Sequence, residues 1–134
     1  MTAARCPGRD RGETSVETVL LVPVLLLVLF VGAHVASLAR AGQVAHIAAT
    51  RGAEAAAAFG PDGPGAGIGR GAAMQVVHDL GGAIESPPVI RFLNGRAVST
   101  VRLRIEGVVP GIPTVVSRTV VVAPETFIDS DVRR

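Results

Sequence analysis

The sequence predicts an α+β chain: one long N-terminal helix followed by a small antiparallel β module of about three strands. Three observations carry that expectation. Residues 18–39 form a run of 22 positions without Asp, Glu, Lys or Arg. Residues 41–58 extend it with an Ala-rich stretch that contains no proline. Beyond a Gly/Pro-rich segment at 60–71, helical spacing gives way to period-two alternation around Asn94-Gly95, the pattern of a hairpin with one wet face.

Composition narrows the function classes. A chain of 134 residues has room for one small domain beside the apolar run. All 13 basic residues are Arg, the net charge is only +2, and Trp and Tyr are absent. Nucleic-acid binding calls for a clustered basic face with stacking aromatics, and the scattered arginines supply neither. Cys6 is the only cysteine, so no intrachain disulfide or thiol cluster is expected. His34, His46 and His78 are isolated from one another and from any nucleophile, so the pattern indicates no enzyme, metal, cofactor or small-molecule substrate.

The elements follow in chain order. Residues 1–12 are a short polar leader carrying Arg5, Arg9 and Arg11, against Arg40 and Arg51 beyond the run. This bias places the N-terminus in the cytoplasm and the rest outside. The apolar run makes a helix of about 33 Å, enough for a hydrocarbon core of about 30 Å, so residues 13–40 read as a transmembrane helix. Pro23 lies within it and removes a bond to the Val19 carbonyl, which predicts a kink. Glu17 stands at the mouth of the run, where a carboxylate is costly and therefore a candidate for function. A secretory signal peptide cut after Ala39 is the competing reading, because Ser37-Leu38-Ala39 has small-x-small form. The run is longer than an ordinary signal core, which favours retention.

Residues 41–59 continue the helix outside the membrane. Gln43, His46, Thr50 and Glu54 share one stripe, and Arg51 can pair with Glu54. Ala41, Ala45, Ala48 and Gly52, with Ala55 and Ala56, form the opposite seam. A seam of tiny side chains admits a second helix at close range and is expected to contact a partner helix; alanine bias on a solvated helix gives the same pattern. Residues 60–71 read as a linker without regular structure. Residues 72–128 read as a small α/β module: a short helix over 72–80 ended by Gly81-Gly82, then strands over 89–93, 97–106 and 114–123, with a proline-containing loop at 107–113. Residues 129–134 read as a tail.

Several of these residues occur together in a recognisable order. Arg11-Gly12, Val16-Glu17, Pro23 within the apolar run, Arg51-Gly52-Ala53 after it, and a Val-rich end running into Pro124-Glu125-Thr126-Phe127 give the match. In these the chain resembles the TadE-like family of tight-adherence (Flp-type) pilus proteins, with a type IV pilin-like N-terminus. The close match covers residues 11–58. The resemblance implies a single-pass membrane protein, cut between Gly12 and Glu13 by a prepilin peptidase, with a non-catalytic minor-pilin or pseudopilin role. It implies other pilin-like subunits, pilus assembly proteins and membrane lipid as partners. It gives Glu17 an assembly role: the new α-amino group would pair with a carboxylate near a low-dielectric boundary. Two alternatives stand beside it, a secreted binding module released after Ala39 and a single-span envelope scaffold.

Overall fold

The computed structural model describes residues 13–105 and 114–124, with side chains from residue 17 onward. Five elements follow one another: α1 (Glu13–Phe59), α2 (Gly65–Asp79), β1 (Ala83–Leu93), β2 (Arg96–Ile105) and β3 (Thr114–Val122). The expected α+β class, with a long first helix and a small antiparallel sheet, is what forms. The strands lie in the order β1-β2-β3, and both pairings are antiparallel. The leader with Cys6, the loop at 107–113 and the tail at 129–134 lie outside the described residues.

The 47 residues of α1 run without interruption through Pro23. Its far end is closed by Gly60, whose φ of +70° lets its amide donate to the Ala56 carbonyl at 3.1 Å, a left-handed cap that glycine adopts without a Cβ clash. The chain then turns back over four residues and begins α2 at Gly65. Here the structure corrects the linker expected at 60–71. Glycine weakens a helix through entropy rather than by a clash, so tertiary packing overrides it. The packing in question is a row at every fourth position, Gly65, Gly69, Ala73 and Val77, all buried.

That row lies against the second half of α1, where Ala45, Ala48, Ala49, Ala53 and Ala56 have no exposed surface. The backbones are close enough to exclude side chains. A Cβ added at Gly52 would stand 2.9 Å from Ser99 Oγ, 3.0 Å from Ala73 Cβ and 3.1 Å from the Gly69 carbonyl oxygen. A Cβ at Gly69 would overlap the Gly52 carbonyl oxygen and lie 2.8 Å from Ala56 Cβ. Such small-on-small crossings gain dispersion contacts over a long line of backbone.

The sheet covers the remaining side of α1, which lies across β2 and β3 while α2 reaches β1. Alternation along β2 sends Ala97, Ser99, Val101, Leu103 and Ile105 inward and Arg102 and Arg104 outward, as the sequence pattern requires. With Val44, Ala73, Val77 and the alanines of α1, Val101 and Leu103 form the main core. Asn94 and Gly95 take φ of +50° and +73° and close the expected hairpin. Strand β1 begins six residues earlier than the sequence pattern indicates, at Ala83 rather than Val89. Its register shifts between Ile84 and Val89, around Pro87 and Pro88. As an edge strand it can lose ladder donors there, which is why two prolines do not end it.

Candidate assembly surface of the long helix

The two halves of α1 differ in surroundings more than in helical geometry. Between residues 18 and 33 no residue is buried, and Val19, Leu25 and Leu29 expose 70, 66 and 67% of their surface. From Gly42 onward the helix buries one face in the module and shows Gln43, His46, Arg51 and Glu54 on the other. Among the described residues, one helix is therefore long and apolar enough to cross a membrane, and none of its apolar window is buried in the fold. A contiguous exposed apolar surface of this extent marks an interaction with lipid or protein.

The residues singled out in the sequence fall in different places. Gly12 lies outside the described residues, and Glu13 is the first residue of α1. Glu17 is exposed on the first turns, at the leucine- and valine-rich end of the helix. Pro23 is exposed within the run. Ala41 is half-buried, and Ala45, Ala48 and Gly52 are buried. The seam is real, but α2 and β2 of the same chain occupy it. This corrects the expectation that it receives another subunit's helix: Gly69 and Ala73 already hold the approach that Gly52 allows. Glu17 and Pro23, the residues expected to act in assembly, and the packing seam thus lie on separate halves of one helix and do not form one site.

Two hydroxyls along α1 are settled locally. Ser37 donates to the Ala33 carbonyl at 2.9 Å, and Thr50 donates to the His46 carbonyl at 2.9 Å. Both bonds return to the preceding turn of the helix. His34 is half-exposed, and its Nδ1 is buried without a hydrogen-bond partner. Arg51 and Glu54 pair at 3.5 Å across one turn, as the spacing suggests. Both remain largely exposed, so the pair adds little stability. Among the described residues no three of His, Cys, Asp and Glu group closely enough to hold a metal ion.

On the outer face of the sheet Arg104 Nε donates to Glu85 Oε2. That hydrogen bond, assisted by the guanidinium charge and opposed by partial desolvation, holds the Glu85 carboxyl below its ordinary range. The same contact raises Arg104 further above its own. Thr100 and Thr119, paired across β2 and β3, share a hydroxyl contact of 3.0 Å on this face. Two contributions to the packing differ from what the local sequence pattern indicates. The row Gly65, Gly69, Ala73 is legible as a four-residue repeat of small side chains once glycine is not taken only as a breaker. Arg118 lies opposite Val101 on the helix-facing side of β3, with Nη2 3.5 Å from where a Gly42 Cβ would stand; no local pattern announces that contact.

Comparisons with protein-family models, curated proteins and solved structures give no match.

Proposed function

We propose that the chain is a non-catalytic, membrane-anchored subunit of a tight-adherence type pilus assembly, acting as a minor pilin or pseudopilin. The observation that carries this reading is the division of α1. One half is apolar and uncovered, and the other half is the spine of a small folded module. An anchor continuous with a domain's own core transmits position and force without a flexible joint, which suits a subunit that is lifted from the membrane into an assembly. The resemblance at Gly12, Glu17 and Pro23 supplies the particular class.

In this reading the N-terminus is cytoplasmic and the module extracytoplasmic, with the leader arginines holding the inner side. A prepilin peptidase cuts between Gly12 and Glu13, where the small residue lets the chain pass close to the catalytic groups. The new α-amino group then lies near Glu17. Between neighbouring helices, that attraction sets an axial offset, because charges at a low-dielectric boundary interact strongly. Pilin-like subunits would meet along the exposed half of α1, since the seam further on is already filled.

Intact-mass measurement on membrane-extracted protein from cells with an active prepilin peptidase tests the proposal. The expected mature chain begins at Glu13. A chain beginning at Arg40 would indicate a secreted module instead, and a chain still carrying residues 1–12 would remove the pilin reading. Glu17→Ala should leave the mature chain starting at Glu13 while reducing co-purification with other pilus components.

A further inference from the structure

The outer face of the sheet carries charge of mainly one sign. Alternation and register along β1 and β2 put Arg91, Arg96, Arg102 and Arg104 on it, with Glu85 as the carboxylate beside them. Glu85 is committed to Arg104, and among the described residues Arg91, Arg96 and Arg102 have no ion-pair partner. Arg91 and Arg102 border a shallow depression of about 340 Å³ whose apolar part is Val89, Leu93 and Val98.

The opposite side of the module, the outer surface of the two helices, has the complementary pattern. A groove of about 420 Å³ between α1 and α2 is lined by Ala55, Ala72 and Val76, with two carboxylates, Glu54 and Asp79, against one guanidinium, Arg51. Glu54 follows buried Gly52 by two residues and Asp79 follows buried Val77 by two, a rotation of about 200° that turns each carboxylate away from the sheet. Both remain largely exposed beside Arg51 and His78, so each keeps acceptor capacity for a further cation.

The two sets of charges lie at matching heights. Gly52 faces Ser99, which sets an upper level: Glu54 stands just beyond Gly52, and Arg91 pairs with Val98, the neighbour of Ser99. Val44, Val77 and Leu103 meet in the core and set a lower level, where Asp79 and Arg102 stand beside Val77 and Leu103. From Val44 to Gly52 the helix rises about 12 Å, and from Ser99 to Leu103 the strand rises about 13 Å. A sideways shift of the whole module therefore brings Arg91 to the height of Glu54 and Arg102 to that of Asp79.

We infer that the sheet face of one copy docks on the helix groove of a second copy, with Arg91 against Glu54 and Arg102 against Asp79, an interface that rests on the membrane reading of α1 because a shared bilayer holds both modules at one height. Two sheet faces brought together would instead oppose like charges. The contact uses different surfaces on the two copies, so it leaves one face free at each end and repeats as an open row. Exposed ion pairs contribute little one by one; anchorage in the same bilayer raises the effective concentration of the neighbour and lets weak pairs suffice.

Disulfide cross-linking of the full chain in a Cys6→Ser background tests the contact. One tagged chain carries Val89→Cys on the sheet face, and a second, differently tagged, carries Gln75→Cys beside the helix groove. Both are co-expressed in one bacterial membrane and oxidised there. The hetero-disulfide is expected to exceed either homo-disulfide. Arg91→Glu on the first chain, or Glu54→Arg on the second, should remove most of it, and the two together should restore it. If either variant fails to fold by circular dichroism, Arg102→Glu and Asp79→Arg make the same test at the lower level. A Val89→Cys homo-disulfide as the main product would mark a symmetric sheet pair and overturn the assignment. A hetero-disulfide that survives both single reversals would also overturn it, as association through the apolar run alone. Alkaline carbonate extraction separates this interface from the membrane reading. Wild-type chain released by carbonate removes the anchor and the interface with it; chain that stays in the membrane without a hetero-disulfide removes the interface alone.

Discussion

Ser99 is fully buried between α1 and β2, and its Oγ has no hydrogen-bond partner. An unsatisfied buried hydroxyl costs about 1–3 kcal/mol, and only the narrowness of the space beside Gly52 explains a residue this small. Ser99→Ala should therefore leave stability unchanged or raise it, as read by thermal unfolding. Gly52→Ala should lower it, because the new methyl meets Ser99, Ala73 and the Gly69 carbonyl at 2.9–3.1 Å. Overpacking of this kind costs about 1–3 kcal/mol. The Glu85–Arg104 pair gives a pH signature with a definite sign. The folded carboxyl titrates below its ordinary value of 4.5, so its contribution is present above that pH and is lost as the pH falls through the depressed value. The difference in melting temperature between wild type and Glu85→Gln should shrink as the pH drops below 4.5. It will be small throughout, since the two side chains keep 29 and 57% of their surface in solvent.

At the scale of elements, α2 is the informative case. It begins with Gly-Ala-Gly-Ile-Gly-Arg-Gly, a composition that predicts coil. Half of those glycines are used and half are not. Gly65 and Gly69 meet the backbone of α1, whereas a Cβ at Gly67 or Gly71 would touch nothing within 4 Å. Gly67→Ala and Gly71→Ala should each stabilise the fold by about 0.5–1 kcal/mol, because they relieve entropy in a helix interior. Gly69→Ala should destabilise it and release α2 from α1, seen as loss of amide protection over Gly65–Asp79. Equal effects at Gly67 and Gly69 would contradict the crossing described. The contrast also explains what the sequence could show. Local patterns announce α1, the Asn94-Gly95 turn and the alternation of β2, because each is set within a few residues. The start of α2 and the length of β1 depend on contacts with distant segments. Gly69 is helical because Gly52 faces it, and Ser86 to Pro88 stay in the sheet because an edge strand tolerates missing donors.

For the whole molecule, the apolar run was legible from the absence of charge alone, and so was its continuation into residues 41–59. The direction of the seam was not. Small side chains say that something packs closely, but they do not say whether it is the same chain, and here the chain folds back to fill its own seam. Gly52→Leu should therefore disrupt the module itself rather than block a partner, with loss of the folded signal before any change in membrane extraction. We propose that one helix serves two environments, lipid along residues 18–39 and a protein core beyond Gly42. Nitroxide labels placed singly along α1, in a Cys6→Ser background reconstituted at high lipid-to-protein ratio, measure this directly by collision with oxygen and with a water-soluble nickel chelate. Oxygen-dominated collision is expected at Leu21, Leu25 and Leu29, chelate-dominated collision at Gln43 and Glu54, and little of either at Ala48. Chelate-dominated collision at Leu25 and Leu29 would place the run in water and contradict it.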